Sequence, residues 1–279
     1  MAETIILQNK YILTRYIGEG SYSKVYEAKH ITKHHKVAVK FDIEHDKASR
    51  QLMQNEINVY LYMIKHRINN MCNIKSFGIY EGRNYIILDL LYMDLEKYFN
   101  KHRPQTYEND PEKFPNTVAY LPQYKNIFEL FMQCLAHVKN MHKKGLVHRD
   151  IKPDNFLLNK SNKLYIIDFG LSTKYSSKTL NKNVVGSYLY CAPDVHKECY
   201  VYEYKHDIIS IYYMFFKILS VKKLPWEDIP FTKESSKNIV YYYIKKDCDL
   251  LNYYKDEEIV LKFVNSYIHF VYYERIEFY

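Results

Sequence analysis

Glycine is scarce in this chain, at only 7 of 279 residues. That excludes a glycine-rich linker or a collagen-like repeat. It also gives each glycine weight, because glycine is needed where the backbone takes positive φ or a ligand comes close. Proline is nearly as rare, at 8 residues. Pro104, Pro111, Pro115 and Pro122 all fall within residues 101–123, which therefore reads as a loop excursion. The five cysteines, Cys72, Cys134, Cys191, Cys199 and Cys248, form no C-x-x-C pair. A zinc site is not suggested, and the scattered, odd count suits reduced thiols inside a cell. No apolar run is long enough to cross a bilayer. The longest, residues 208–219, is interrupted by Ser210 and Lys217. The N-terminus mixes Glu3, Gln8, Asn9 and Lys10 into its apolar run and does not read as a secretory signal. The expectation is a soluble intracellular protein of cytoplasm or nucleus, with no membrane partner.

What is present points to a packed domain. Hydrophobic residues make up 47% of the chain, and tyrosine alone occurs 31 times. The net charge is +8, a balance that can attract acidic partners or nucleic acid. No long basic block stands out, so nucleic acid is not expected as the primary ligand. Heavy use of Lys, Asn, Ile and Tyr throughout accounts for the charge without a dedicated basic arm.

One stretch concentrates the chemistry. Residues 147–158 read Val-His-Arg-Asp-Ile-Lys-Pro-Asp-Asn-Phe-Leu-Leu, and residues 166–171 read Ile-Ile-Asp-Phe-Gly-Leu. Asp150 is suited to accept a proton from an alcohol, and Lys152 to neutralise a phosphate. Asn155 and Asp168 offer the hard oxygen ligands that magnesium takes beside phosphates. The apolar pairs flanking residues 159–163 read as a β-hairpin, which would return Asp168 beside Asn155.

The N-terminal third has a second constellation. Residues 10–17 read as a strand, followed by Gly18-Glu19-Gly20-Ser21-Tyr22-Ser23-Lys24-Val25-Tyr26 and a second strand. A strand–glycine loop–strand can fold over a polyphosphate with backbone N–H groups inward. Residues 37–41 alternate as a strand that carries Lys40. Within residues 48–64, Leu52, Glu56, Val59, Tyr60 and Met63 share one helical face. Glu56 thus lies in an apolar stripe, where an unpaired carboxylate is costly, and Lys40 is the expected partner. Two more strands, residues 75–80 and 84–89, join through Glu81-Gly82-Arg83.

Beyond residue 91 the pattern is mainly helical. A short helix is expected over residues 94–100. An amphipathic one follows on Ile127, Leu130, Phe131, Cys134, Leu135, Val138 and Met141, capped near Gly145. Residues 208–219 read as a buried helix opened by Asp207, whose carboxylate is suited to bind backbone N–H groups. The last clear helix is expected over residues 257–270. Ser176, Ser177 and Thr179 read equally as phosphorylation sites and as plain loop hydroxyls.

Together these residues resemble a eukaryotic-type serine/threonine protein kinase over the whole chain. Within that group the chain is most similar to the casein kinase 1 superfamily, which includes the vaccinia-related kinases. The carrying residues are His148–Leu158, the segment 168–175 and Leu224-Pro225-Trp226. The resemblance implies an α+β bilobal fold, with a strand-rich N-lobe over 1–91 bearing one helix and a mainly helical C-lobe over 92–279. It implies ATP and magnesium as cofactors and proteins with serine or threonine as substrates. Catalysis falls to Asp150 and Lys152, and metal binding to Asn155 and Asp168. ATP contacts fall to Gly18, Gly20, Ser21, Val25, Ala38, Lys40, Glu56, Leu88, Asp89 and Leu91, with Asp89-Leu90-Leu91 as the adenine hinge. Lys152, two positions after Asp150, matches serine/threonine rather than tyrosine kinases.

Several positions depart from the family pattern. Ser23 replaces the third glycine of the loop, Tyr212 the glycine of the buried helix, and Asp194 the glutamate after Ala192-Pro193. Ser187 stands where the family carries a hydroxyl bracing the catalytic loop, and Asp207 where it carries the aspartate that anchors that loop. Arg275 lies where the family carries an arginine that pairs with that glutamate, and reads equally as a partner of Asp194 and as a solvated terminal arginine. Leu189 stands where casein kinase 1 enzymes carry an arginine for an upstream phosphate, which implies weak preference for primed substrates. Two other functions remain open on sequence: an inactive ATP-binding scaffold, and a basic nucleic-acid-binding module.

Overall fold

A computed structural model describes residues 4–69, 71–102, 122–230 and 234–272. The chain divides into two compact units. The first is Met1–Met93 with Leu157–Ser172, and the second is Asp94–Phe156 with Thr173–Tyr279. The first is strand-rich and the second helical, the α+β composition expected.

The first unit is built on a six-stranded antiparallel sheet in the order β1-β2-β3-β4-β6-β5. Its strands are β1 (Ile6–Leu7), β2 (Tyr11–Gly20), β3 (Ser23–His30), β4 (Lys36–Asp42), β5 (Ile74–Tyr80) and β6 (Arg83–Asp89). One strand more is present than the sequence suggested, because the two-residue β1 is too short to show a period. Alternation along β4 sends Val37, Val39 and Phe41 into a core with Leu7, Tyr11, Ala28, Tyr85 and Ile87. Ala38 and Lys40 therefore point to the opposite face. Helix α1 (Lys47–Lys65) starts where the Asp46 side chain accepts the Ala48 N–H at 3.0 Å. Of the expected stripe it buries Glu56, Val59, Tyr60 and Met63, with Leu52 half-buried, and Met53 and Ile57 are buried as well.

The second unit is organised around α4 (Tyr204–Leu219), which is buried continuously from His206 to Phe216. Helices α2 (Leu95–His102) and α3 (Pro122–His142) precede it. Helices α5 (Glu234–Asp247), α6 (Leu250–Tyr253) and α7 (Glu258–Tyr272) follow. The expected loop over 101–123 is shorter at both ends, since Lys101 and His102 close α2 and Pro122 opens α3. The remainder of it lies outside the described residues. Helix α4 also starts earlier than expected. Its N-cap is Glu203, so Asp207 sits inside the helix rather than at its head.

Aromatic rings fill the space that aliphatic side chains usually fill. Phe131 on α3 meets Tyr212 and Phe215 of α4 and Phe263 of α7, all at 5.0–5.2 Å between centroids. Tyr212 packs its ring there and directs its hydroxyl to Ser266 at 2.9 Å. The expected departure from glycine at 212 is thus a change of packing mode, in which a ring and a hydroxyl bridge α4 to α7. Restoring glycine, Tyr212→Gly, should leave a cavity and loosen the helix. The loss expected is roughly 3–5 kcal/mol for the ring and about 1 kcal/mol for helical glycine. Denaturant titration would check this, and a midpoint equal to that of the parent would remove the ring from the core account.

Candidate active site

Strand register gathers the expected nucleotide contacts onto one face of the first unit. Gly18 pairs with Val25, Val25 with Lys40, and Lys40 with Ile86. Ala38 pairs with Leu88. Residues opposite each other in a ladder share a face, so Gly18, Val25, Ala38, Lys40 and Leu88 line one surface. Gly20 pairs with Ser23 around Ser21 and Tyr22. Neither Gly18 nor Gly20 has positive φ. Gly18 has no atom within 4 Å of the place a Cβ would take, so its glycine leaves room above the strand rather than relieving backbone strain. The loop tip is anchored. Buried Ser49, near the start of α1, donates its hydroxyl to the Tyr22 carbonyl and accepts the Ile43 N–H. Nothing in the residue pattern marks this contact.

Lys40 Nζ lies 2.7 Å from Glu56 and 2.9 Å from Asp168. The Lys40 side chain is 12% exposed and that of Glu56 2%. Burial works against the ammonium, but the charges of Asp168 and then Glu56 outweigh it and raise its pKa above the ordinary lysine value. The cation is thus held charged between two carboxylates. Asp168 is supplied by the chain after the hairpin of Phe156–Leu158 and Leu164–Ile166, and it takes positive φ, at 63°. The next residue, Phe169, is fully buried edge-on against Tyr60 at 5.0 Å. Asn55 donates its side-chain amide to the carbonyls of Gly170 and Ser172, each at 2.8 Å. Three α1 residues, Asn55, Glu56 and Tyr60, therefore hold the segment around Asp168. Glu56 and Tyr60 were both placed on the helical stripe by the sequence, whereas Asn55 carries no pattern of its own.

At the hinge the expectation is revised in part. Asp89 gives its N–H to the Asn73 carbonyl at 3.1 Å, and its carbonyl accepts the Cys72 thiol at 3.3 Å. Its carboxylate pairs with Lys75 at 2.7 Å. The backbone of Asp89 is thus engaged rather than free, while Leu91 lies in irregular chain beyond β6.

The second unit assembles the other expected residues. Lys152 Nζ is 3.0 Å from Asp150 Oδ2. Asn155 donates its Nδ2 to the Asp150 carbonyl at 2.7 Å and to Asp150 Oδ2 at 3.2 Å. That fixes the amide with Oδ1 as its acceptor end, the end a cation would take. Asp150 Oδ1 accepts the backbone N–H of Ser187 at 3.0 Å. The brace expected at Ser187 is present, but its backbone makes it. Gly186 comes just before, with φ of 88°, and a Cβ there would overlap the Arg149 carbonyl oxygen. Only glycine fits.

Asp207 anchors this loop. Its carboxylate accepts the backbone N–H groups of His148 at 2.8 Å and Arg149 at 2.9 Å. It also meets His142 Nε2 at 2.9 Å and the Tyr202 hydroxyl at 2.9 Å. The carboxylate was expected to hold backbone N–H groups and, by the family resemblance, to anchor the loop of Asp150, and the N–H groups it holds are those of that loop. Burial opposes ionisation, yet the His142 hydrogen bond and charge and the His148 contacts bring its pKa down to about 2. Asp194 pairs with Lys197 at 2.6 Å, with His206 at 3.8 Å and Lys205 at 3.9 Å nearby. The His206 and Lys197 contacts hold its carboxyl below the usual range. The proposed partner Arg275 lies outside the described residues. Ser176 accepts the Lys178 N–H in a local turn.

Among the described residues no helix is long and apolar enough to cross a membrane, and no group of three or more His, Cys, Asp or Glu forms a metal cluster.

Comparison with known proteins agrees with this geometry. Residues 11–278 match the family model described as protein kinase domain. The chain is 28% identical over 223 residues to a probable casein kinase I homolog of Encephalitozoon cuniculi (strain GB-M1). That alignment covers 77% of this chain and 64% of the relative, less than two thirds of its length. A lysine held between Glu56 and Asp168, an aspartate–lysine–asparagine loop anchored by Asp207, and a family match over nearly the whole chain lead to one conclusion: the chain belongs to the protein kinase domain family and resembles casein kinase I.

Proposed function

We propose that this chain is an active serine/threonine protein kinase that transfers the γ-phosphoryl group of ATP to protein hydroxyls, with casein kinase I-like character. The observation that carries the reading is the Lys40 ammonium held at 2.7 Å by Glu56 and 2.9 Å by Asp168. An inactive scaffold has no need to keep that arrangement beside an intact Asp150, Lys152 and Asn155. In the transfer, the substrate hydroxyl oxygen bonds to the γ-phosphorus and the bond from that phosphorus to the β–γ bridging oxygen breaks. ADP leaves, and the hydroxyl proton passes to Asp150. The chemistry is mainly positioning and charge neutralisation.

Each unit has its own share. In the first, Gly18, Gly20, Ser21 and Val25 cover the nucleotide, Ala38, Leu88 and the Asp89–Leu91 hinge take the adenine, and Lys40 grips the non-transferred phosphates. Asp168 and Asn155 carry the oxygens that the family resemblance assigns to magnesium, which supplies charge neutralisation at the phosphates when bound. In the second, Lys152 neutralises the transferring phosphoryl, and its place two residues after Asp150 supports serine and threonine as acceptors. Five free cysteines support an intracellular setting.

Labelled-ATP transfer to casein tests the proposal. Asp150→Asn should lower kcat by at least about 10²-fold, the scale of a lost general base, while nucleotide affinity stays near the parent value. Asp168→Asn should abolish transfer and also weaken magnesium-dependent nucleotide binding. Undiminished transfer by the Asp168 variant would sink the metal assignment. Nucleotide binding without transfer by the parent would favour the scaffold reading, and steeply salt-dependent nucleic-acid binding would favour the basic module.

Substrate choice is a second expectation. Leu189 has no donor for an upstream phosphate, whereas arginine binds phosphate through paired charge-assisted bonds. Its carbonyl is also taken by Trp226 Nε1 at 2.8 Å. Two alternative cations are engaged, Lys222 with the Tyr253 carbonyl at 2.9 Å and Lys223 with Asp228 at 2.6 Å. Paired peptides with an upstream phosphoserine or serine should therefore give similar kcat/KM. A preference above roughly tenfold, about 1.4 kcal/mol, would show that another cation has taken over. Lys237, 4.4 Å above the Tyr188 ring, would be the first to examine.

A further inference from the structure

Lys245 on α5 is almost wholly buried, at 3% exposure. A lysine is rarely buried without an acidic partner, and among the described residues no carboxylate forms an ion pair with this one. Its Nζ lies 2.6 Å from the Tyr188 carbonyl, 2.6 Å from the Cys191 carbonyl and 3.2 Å from His196 Nε2. An ammonium has three N–H donors and no acceptor, so these three acceptors use it completely, with Cys191 Sγ further off at 3.9 Å. Rings of Tyr213, Trp226 and Tyr241 surround it at 5.2–5.6 Å from their centroids. His196 stacks on Tyr241 at 5.0 Å. Burial, and then the charges of Lys245 and Lys237, bring the His196 pKa down to about 2, so the ring is neutral and presents a lone pair rather than a second charge.

The two carbonyls belong to the stretch 186–194. Within it, Leu189 is held by Trp226, as described above, and Ser187 gives its N–H to Asp150. The loop is therefore fixed at its carbonyls from below and at one N–H to the proposed base.

We propose that Lys245 is a positioning residue, which clamps the loop 187–191 through the Tyr188 and Cys191 carbonyls and so sets where the protein substrate is presented to Asp150. This rests on the kinase reading for the word substrate, but the clamp itself is a property of the fold. A charge held by carbonyls and rings has a consequence that an ion pair lacks. Burial brings the Lys245 pKa down to about 8, only partly offset by Cys191. Above that pH the amine keeps two donors for three acceptors and loses its charge, so the clamp weakens. Stability moves the other way. The folded state carries the lower pKa, so the cost of burying the charge is present below pH 8 and is relieved as pH rises toward the ordinary lysine value. The titratable groups facing Lys245 are Tyr188 and Cys191 on the loop, His196 in the turn that follows, Tyr213 on α4, and Lys237 and Tyr241 on α5. Burial raises Cys191, Tyr213 and Tyr241 above their ordinary values, and His196 stays neutral.

The test compares the parent with Lys245→Met, which keeps length and removes the charge. In the variant, KM for a peptide substrate should rise roughly tenfold while KM for ATP changes less than about twofold. Hydrogen exchange at the Tyr190 and Cys191 amides, both bonded to the Ser187 carbonyl, should become faster. In the parent alone, peptide KM should climb between about pH 7 and 9 with no loss of thermal stability, and this climb should be absent from the variant. A peptide KM unchanged by the substitution, or slow exchange retained at both amides, would overturn the clamp. If the variant does not fold, a flat peptide KM in the parent across that pH range overturns it instead. If the parent transfers no phosphate at all, the kinase reading fails, and the exchange rates still decide whether Lys245 holds the loop.

Discussion

The first unit depends on one buried cation. Lys40 sits on a central strand with its side chain on the α1 face, and two carboxylates converge on it from segments far apart in the chain. A buried pair of this kind is weak evidence of stability, since desolvation cancels much of the attraction. Its value is geometric. Removing either carboxylate alters the charge the other must face, so strand β4, helix α1 and the chain around Asp168 are tied to one arrangement. Asn55 and Tyr60 reinforce the same link with an amide and a ring, and Ser49 extends it to the glycine-loop tip. Helix α1 is thus the part through which both the glycine-loop tip and the Asp168 segment are held.

The second unit solves a related problem with the opposite charge. Asp207 is a buried anion that satisfies two backbone N–H groups of the catalytic stretch, a histidine and a tyrosine. A carboxylate has about four lone-pair sites, and here each has a donor. An unmet buried N–H costs about 1–3 kcal/mol, so the loop carrying Asp150 gains its shape from a residue nearly sixty positions later. Lys245 is the cationic counterpart, with three donors for the Tyr188 and Cys191 carbonyls and His196 Nε2. Both groups set backbone positions rather than touching a reactant.

How much of this was legible in the sequence follows from the range of each interaction. The stripe of α1 and the placement of Glu56 opposite Lys40 could be read because helical and strand periods are local and an isolated buried carboxylate is costly. The catalytic stretch was legible because its polar residues are contiguous. Ser49, Asn55 and Lys245 were not, since each acts on backbone carbonyls or N–H groups of a distant segment, and a backbone group leaves no mark in the sequence. Helix α5 was missed for a different reason. Its tyrosine run at 241–243 has no 3.6-residue apolar period, and the helix is held by contacts with the turn after Ala192 rather than by propensity. Asp194 was legible as an anion in need of a partner, but Lys197, one helical turn away, satisfies it locally.

The abundance of tyrosine bears on the same point. A tyrosine buries a large ring and still offers a hydroxyl, so it can close a core and satisfy a distant polar group at once. Tyr212 does this between α4 and α7, Tyr202 at Asp207, and the rings of Tyr213 and Tyr241 make a charged lysine tolerable in the interior without an acid. A leucine at any of these places would fill comparable volume and leave a donor, an acceptor or a cation unmet. The aromatic composition is therefore part of how this chain holds buried polar groups around its loops, and it explains how Lys245 can be both buried and charged.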